Sequence, residues 1–196
     1  PPRHRPALLT CAVVGAGLIG LGVVRRVATV AVYAAVTVVG VLLITAVTRR
    51  EVSPLATWGL VVLVLGNLAG GVVPVGDGVL YGWWVWEPFV RFDNVQHAFG
   101  FGAVGRIAWE LLRPRLGPVA DDPLIVTLVI VGAGCTAGTI NEIIEWAMTM
   151  TIAGVDVGGY DNTVRDLVAN LFGCLGWAMW TVRTRADQTS PSPRPH

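Results

Sequence analysis

The stretch PLIVTLVIVGAGCTAGTINEIIEWAMTM, residues 123–150, carries no charge from Pro123 to Asn141 and then admits Glu142 and Glu145 into a run that is otherwise apolar. A helix needs roughly 20 apolar residues to cross a bilayer, so the stretch reads as a membrane span with two carboxylates near one end. The same ruler finds five more segments. They run from Pro6 to Val24, Val27 to Val47, Pro54 to Val73, Asp93 to Leu112 and Thr163 to Val182.

Composition agrees with that count. Of 196 residues, 54% are hydrophobic and only 14% charged, which lies outside the soluble range. The expected fold is all-α, a polytopic membrane protein built as a compact bundle of six transmembrane helices. Residues 1–183 form one transmembrane domain, and the polar, Pro- and Ser-rich tail at 184–196 reads as disordered. The first segment resembles a signal peptide in length, but Arg25 and Arg26 follow it directly and no small-residue cleavage site is visible, so it counts as a span. A net charge of +1 with no basic stripe excludes a nucleic-acid partner. Cys11, Cys135 and Cys174 all sit in apolar runs and read as small core residues rather than a disulfide framework.

With six spans both termini share a side. That side holds Arg3, Arg5, Arg49, Arg50, Arg113, Arg115, Arg183, Arg185 and Arg194, against Arg25, Arg26, Arg91 and Arg165 on the other. Nine against four favours cytoplasmic termini in a bacterial inner membrane. Gly66 with Gly70 and Gly134 with Gly138 allow close helix approach. Trp83, Trp84 and Trp86 read as an interfacial aromatic belt, with a lid over a pocket as the second reading.

Charged groups inside a bilayer are costly and turn toward the bundle interior. Three segments carry them. FDNVQHAFG opens the fourth span, NEIIEWAM ends the fifth and YDNTVRDLVANLFG opens the sixth, and all three lie on one side of the membrane. At 1.5 Å per residue, His97 lies about 6 Å below Asp93, Glu142 about 12 Å below Met150 and Asn170 about 10 Å below Thr163. Asp93 with His97 and Asp166 with Asn170 are four apart, and Glu142 with Glu145 three apart, so each helix offers one polar face. The plainer readings are local. Asp93 with Gln96 and Thr163 with Asp166 fit capping boxes, Asp161 and Asn162 fit a turn, and Arg106 with Glu110 fits a structural ion pair. Capping cannot explain Glu142 and Glu145, which lie inside a helix near its C-terminal end, where the dipole disfavours anions. A proton, a divalent cation, a cationic ligand or Arg165 must meet them. Hard oxygens with one imidazole, from Asp93, His97, Glu142, Glu145 and Asp166, suit Mg, Mn, Fe or Zn, although no HExxH or paired ExxH motif is present.

The order of FDNVQHAFGFG, NEIIEW and YDNTVRDLVANLFGCLG, from Phe92 to Gly176, resembles the YjdF-like family of small bacterial inner-membrane proteins. The last piece also resembles the closing motif of VanZ-like proteins, which are linked to glycopeptide resistance at the envelope. The resemblance maps the family's helix-opening Asp and His onto Asp93 and His97, its paired glutamates onto Glu142 and Glu145, and its final aspartate and asparagine onto Asp166 and Asn170. Where the YjdF-like pattern has Gln-Gly-Asp and a Trp, this chain has Gly159-Tyr160-Asp161. The resemblance implies an envelope protein and leaves the reaction open.

Three functions compete. In the first, Glu142, Glu145, His97 and Asp166 do acid–base work on an envelope lipid headgroup held by Asp93, Asn170, Asp161 and Arg165, with or without a divalent cation. In the second, the acidic layer receives a cation or proton in a binding or transport protein. In the third, the layer is a satisfied structural network in an accessory subunit, with a membrane-protein partner or a second copy. No GxSxG nucleophile motif appears.

Overall fold

The computed structural model describes residues 2–27, 29–50, 52–153, 155 and 157–189. Among them are six α-helices: α1 (Arg5–Val24), α2 (Val30–Thr48), α3 (Pro54–Val72), α4 (Phe92–Leu116), α5 (Pro123–Thr151) and α6 (Gly159–Thr189). The protein is an all-α membrane bundle. Four helices, α1, α2, α3 and α5, are long and apolar enough to cross a membrane on composition alone. The other two, α4 and α6, have 25 and 31 residues but carry the polar groups that the bundle turns inward. Outward faces are apolar, as at Val13, Leu42, Phe172 and Trp146, which suits lipid and not water.

Local chemistry sets the helix starts. Ser53 caps α3, its side chain accepting from the Ala56 amide, and Pro54 occupies the first turn, where its missing N–H costs nothing. Asp122 caps α5 in the same way, accepting from the Leu124 and Ile125 amides ahead of Pro123. The sixth helix opens four residues before the expected Thr163. Two glycines at positive φ, Gly158 at 80° and Gly159 at 71°, turn the chain where an L side chain would be strained. It then runs to Thr189, past the start of the stretch read as a polar tail, and residues 190–196 lie outside the described residues.

Packing divides the bundle into two groups joined by α3 against α4. In one, α1 and α2 pack on α3; in the other, α4, α5 and α6 pack on one another. The first core gathers Cys11, Ile44, Ala56, Leu60 and Val61 with Ile107 of α4, and the second gathers Trp109, Val126, Ile130 and Ala178. Glycines permit the close crossings. A Cβ at Gly105 would meet the Ile130 carbonyl of α5, one at Gly134 the Cys174 thiol and the Phe101 carbonyl, and one at Gly173 the backbone of Ala98. All three cysteines are free.

The expected Arg106–Glu110 ion pair is present at 2.7 Å. Glu110 also accepts the Ser53 amide at 2.7 Å, while Arg106 donates to Thr181 Oγ1 at 2.6 Å, so one half-buried pair ties α3, α4 and α6 together at the end of the bundle opposite the acidic layer.

Two short hairpins join α3 to α4. In the first, β1 (Pro74–Val75) pairs antiparallel with β2 (Gly78–Val79); in the second, β3 (Trp84–Trp86) pairs antiparallel with β4 (Val90–Arg91). Trp83 and Trp86 are exposed, and the Arg91 guanidinium stacks over Trp84 at 4.4 Å. Tyr81, between the hairpins, packs over Gly70 and donates to the Asn67 carbonyl at 2.7 Å.

Candidate functional site

The polar faces of α4, α5 and α6 meet in one buried cluster. His97 is 3% exposed, Glu142 6%, Asp166 0% and Asn170 1%. The imidazole stands between two carboxylates, with Nε2 3.7 Å from Asp93 Oδ1 and Nδ1 3.7 Å from Glu142 Oε1. Those separations are too long for hydrogen bonds. One donor atom from each of His97, Glu142 and Glu145 lies within 4.8 Å of the others, and the same holds for Asp93, His97 and Asp166.

Space for the cluster comes from small residues. Gly138 of α5 leaves room that the Asn170 amide fills from α6, and Gly66 of α3 leaves room for the Gln96 side chain, which donates to the Leu63 carbonyl at 3.1 Å. Of the four glycines expected at small-residue contacts, Gly66, Gly70 and Gly138 receive side chains, while Gly134 lets the α4 backbone at Phe101 approach closely.

Asp166 is held by two asparagines. Asn94 donates to its Oδ1 at 2.8 Å and Asn162 to its Oδ2 at 2.7 Å, and Asn162 also reaches Asp93 Oδ2 at 3.4 Å. On the α5 side the hydrogen bonding is incomplete. Glu145 accepts from Asn141 at 2.7 Å through Oε1. His97 Nδ1, Glu142 Oε1 and both amide atoms of Asn170 are buried with no partner at hydrogen-bonding geometry among the described residues. Buried polar atoms are ordinarily satisfied, so this vacancy of bonding marks one half of the cluster.

Capping does not use the aspartates as the sequence patterns suggest. At the start of α4 the backbone amide of Arg91 donates to Asn94 Oδ1 at 2.8 Å, which frees Asp93 to face His97 and Asn162. Thr163 with Asp166 lies inside α6, because that helix begins at Gly159.

Asp161 and Arg165 do not join the cluster. They pair with each other at 2.7 Å, and Arg165 also donates to the Pro88 carbonyl at 3.0 Å, fastening α6 to the second hairpin. Two residues stand in the layer that the sequence reading leaves out of it. Asn94 and Asn162 bond its carboxylates directly.

Outside the cluster an open groove of about 630 Å³ runs along α4 and α6 from Arg165 to Trp177, walled by Asn94, Phe99, Val168 and Phe172. Asn94 is thus shared: it lines the groove and bonds Asp166.

A sequence profile of the family described as "Predicted membrane protein (DUF2238)" matches residues 6–187. The chain belongs to the DUF2238 family. The match takes in all six helices of this DUF2238 protein, the acidic cluster included. No curated protein and no solved structure matches the chain.

Proposed function

We propose that this DUF2238 protein binds an envelope lipid through the α4–α6 groove and acts on its headgroup at the buried acid–imidazole cluster. The observation that carries the reading is the double role of Asn94, which walls the apolar groove and bonds Asp166. From Arg165 to Trp177 the groove spans about 18 Å of helix, matching one leaflet of a hydrocarbon core about 30 Å thick. Arg165 at its mouth supplies positive charge where a lipid phosphate sits. The cluster lies within the first turns of α4 and α6, the depth at which headgroup gives way to acyl chain. His97 and Glu142, buried and facing each other at 3.7 Å, put an imidazole and a carboxylate where that headgroup would meet them.

The resemblance to YjdF-like and VanZ-like proteins supports an envelope role in a bacterial inner membrane. The Arg asymmetry supports cytoplasmic termini, an orientation that would turn the cluster toward the outer leaflet.

Lipid retention by protein purified in detergent from bacterial membranes tests this reading. Wild-type protein is expected to keep about one lipid per chain through detergent washing, and Ala169→Phe, which fills the groove, to lower retention at least tenfold. Glu142→Gln should keep the lipid and lose any headgroup-altered product seen by mass spectrometry. Equal retention by wild type and Ala169→Phe would refute the groove as the lipid site.

A further inference from the structure

The two halves of the cluster differ in what they still need. On the α6 side, Asp166 has both oxygens bonded by asparagine amides, and Asp93 Oδ2 is reached by Asn162. On the α5 side, His97 Nδ1 and Glu142 Oε1 face each other at 3.7 Å with neither atom at hydrogen-bonding geometry to a partner among the described residues, and Glu145 accepts from Asn141 through Oε1. The five candidate ligands are therefore not equivalent.

We infer that His97 Nδ1, Glu142 and Glu145 form a binding site for a first-row divalent cation such as Zn²⁺ or Mn²⁺, with Asp93 positioning the imidazole from behind. The inference rests on the cluster being the place where a headgroup is handled, and names the ion that would meet it there.

Three lines of geometry support the set. Ligands about 2.1 Å from a tetrahedral cation stand about 3.4 Å apart, close to the 3.7 Å between His97 Nδ1 and Glu142 Oε1. Glu145 brings its donor within 4.8 Å of both. Asp93 Oδ1 lies 3.7 Å from Nε2, where a small closure gives the carboxylate–histidine–metal arrangement that fixes the tautomer and leaves Nδ1 unprotonated toward the ion. Two carboxylates and a neutral imidazole are a borderline-hard donor set suited to Zn, Mn or Fe(II). Three protein ligands leave a coordination position open, as catalytic sites do. The cation also supplies the positive charge that Arg165, turned to the hairpin, does not.

The test is metal binding by the full chain in detergent, stripped with chelator, titrated with Zn²⁺ or Mn²⁺ and desalted before elemental analysis. About one ion per chain is expected. Glu142→Gln and His97→Gln should each weaken binding at least tenfold, whereas Asp161→Asn, whose carboxylate is exposed and pairs with Arg165, should stay within about threefold of wild type. Wild-type protein holding neither metal overturns the site, as does Asp161→Asn weakening binding as much as Glu142→Gln. The wild-type measurement stands even where a variant does not fold. Lipid retention in the same stripped samples separates the two readings. Retention without metal binding removes the cation and leaves the lipid groove, and metal binding without retention does the reverse.

Discussion

Gly173→Val is expected to lower the stability of the bundle by about 3 kcal/mol or more, at the upper end of what overpacking costs. The reason is what the new Cβ would meet. At Gly173 the nearest atoms are the carbonyl oxygen, carbonyl carbon and Cα of Ala98, and backbone cannot rotate aside as a side chain can. The α4–α6 crossing must open, and with it the contact that holds Asn94 against Asp166. For a chain of this length such a loss corresponds to a fall in melting temperature of roughly 6–12 °C. Thermal unfolding in detergent, read by size-exclusion chromatography, measures it. Gly176→Val is the control, because a Cβ there meets nothing within 4 Å, and equal melting of the two variants would show that α4 and α6 do not cross at Ala98.

Asp166→Ala should be comparably damaging, by about 2–6 kcal/mol, since each of two buried donors left without its acceptor costs about 1–3 kcal/mol. Asp166 is wholly buried and receives the amides of both Asn94 and Asn162, which are themselves buried. Asp161→Ala provides the contrast. Its pair with Arg165 is exposed, with the carboxylate side chain 80% accessible, and exposed pairs contribute about 0–1 kcal/mol. The same detergent melts compare them. A melting temperature for Asp166→Ala no lower than that for Asp161→Ala would mean that the buried network does not hold the helices.

Much of this was legible from composition. Four of the six helices follow from apolar run length alone, because only a helix satisfies its own backbone in lipid, and the buried layer follows from the cost of charge at that depth. Spacing was a weaker guide. Asp161 and Arg165 share the four-residue interval of Asp93 with His97, yet they face the hairpin while the other pair faces the interior. An interval fixes that two residues share a face, not which way the face points. Asn94 was passed over because an amide beside an aspartate reads as helix-start chemistry, and it does accept the Arg91 amide, but its other end crosses to Asp166. The early start of α6 was hidden for a related reason. Gly158 and Gly159 turn the chain through positive φ, and Asn162, one turn into the helix, became a ligand of two aspartates instead of a turn residue.

The separation between His97 Nδ1 and Glu142 Oε1 in a crystal structure grown from a lipidic mesophase tests the central claim, that α4, α5 and α6 pool their polar groups into one working site. The expected value is near 3.7 Å, or about 3.4 Å with a cation bound between them. A separation beyond about 6 Å, too far for one bridging water, with Glu142 turned to lipid, would contradict it.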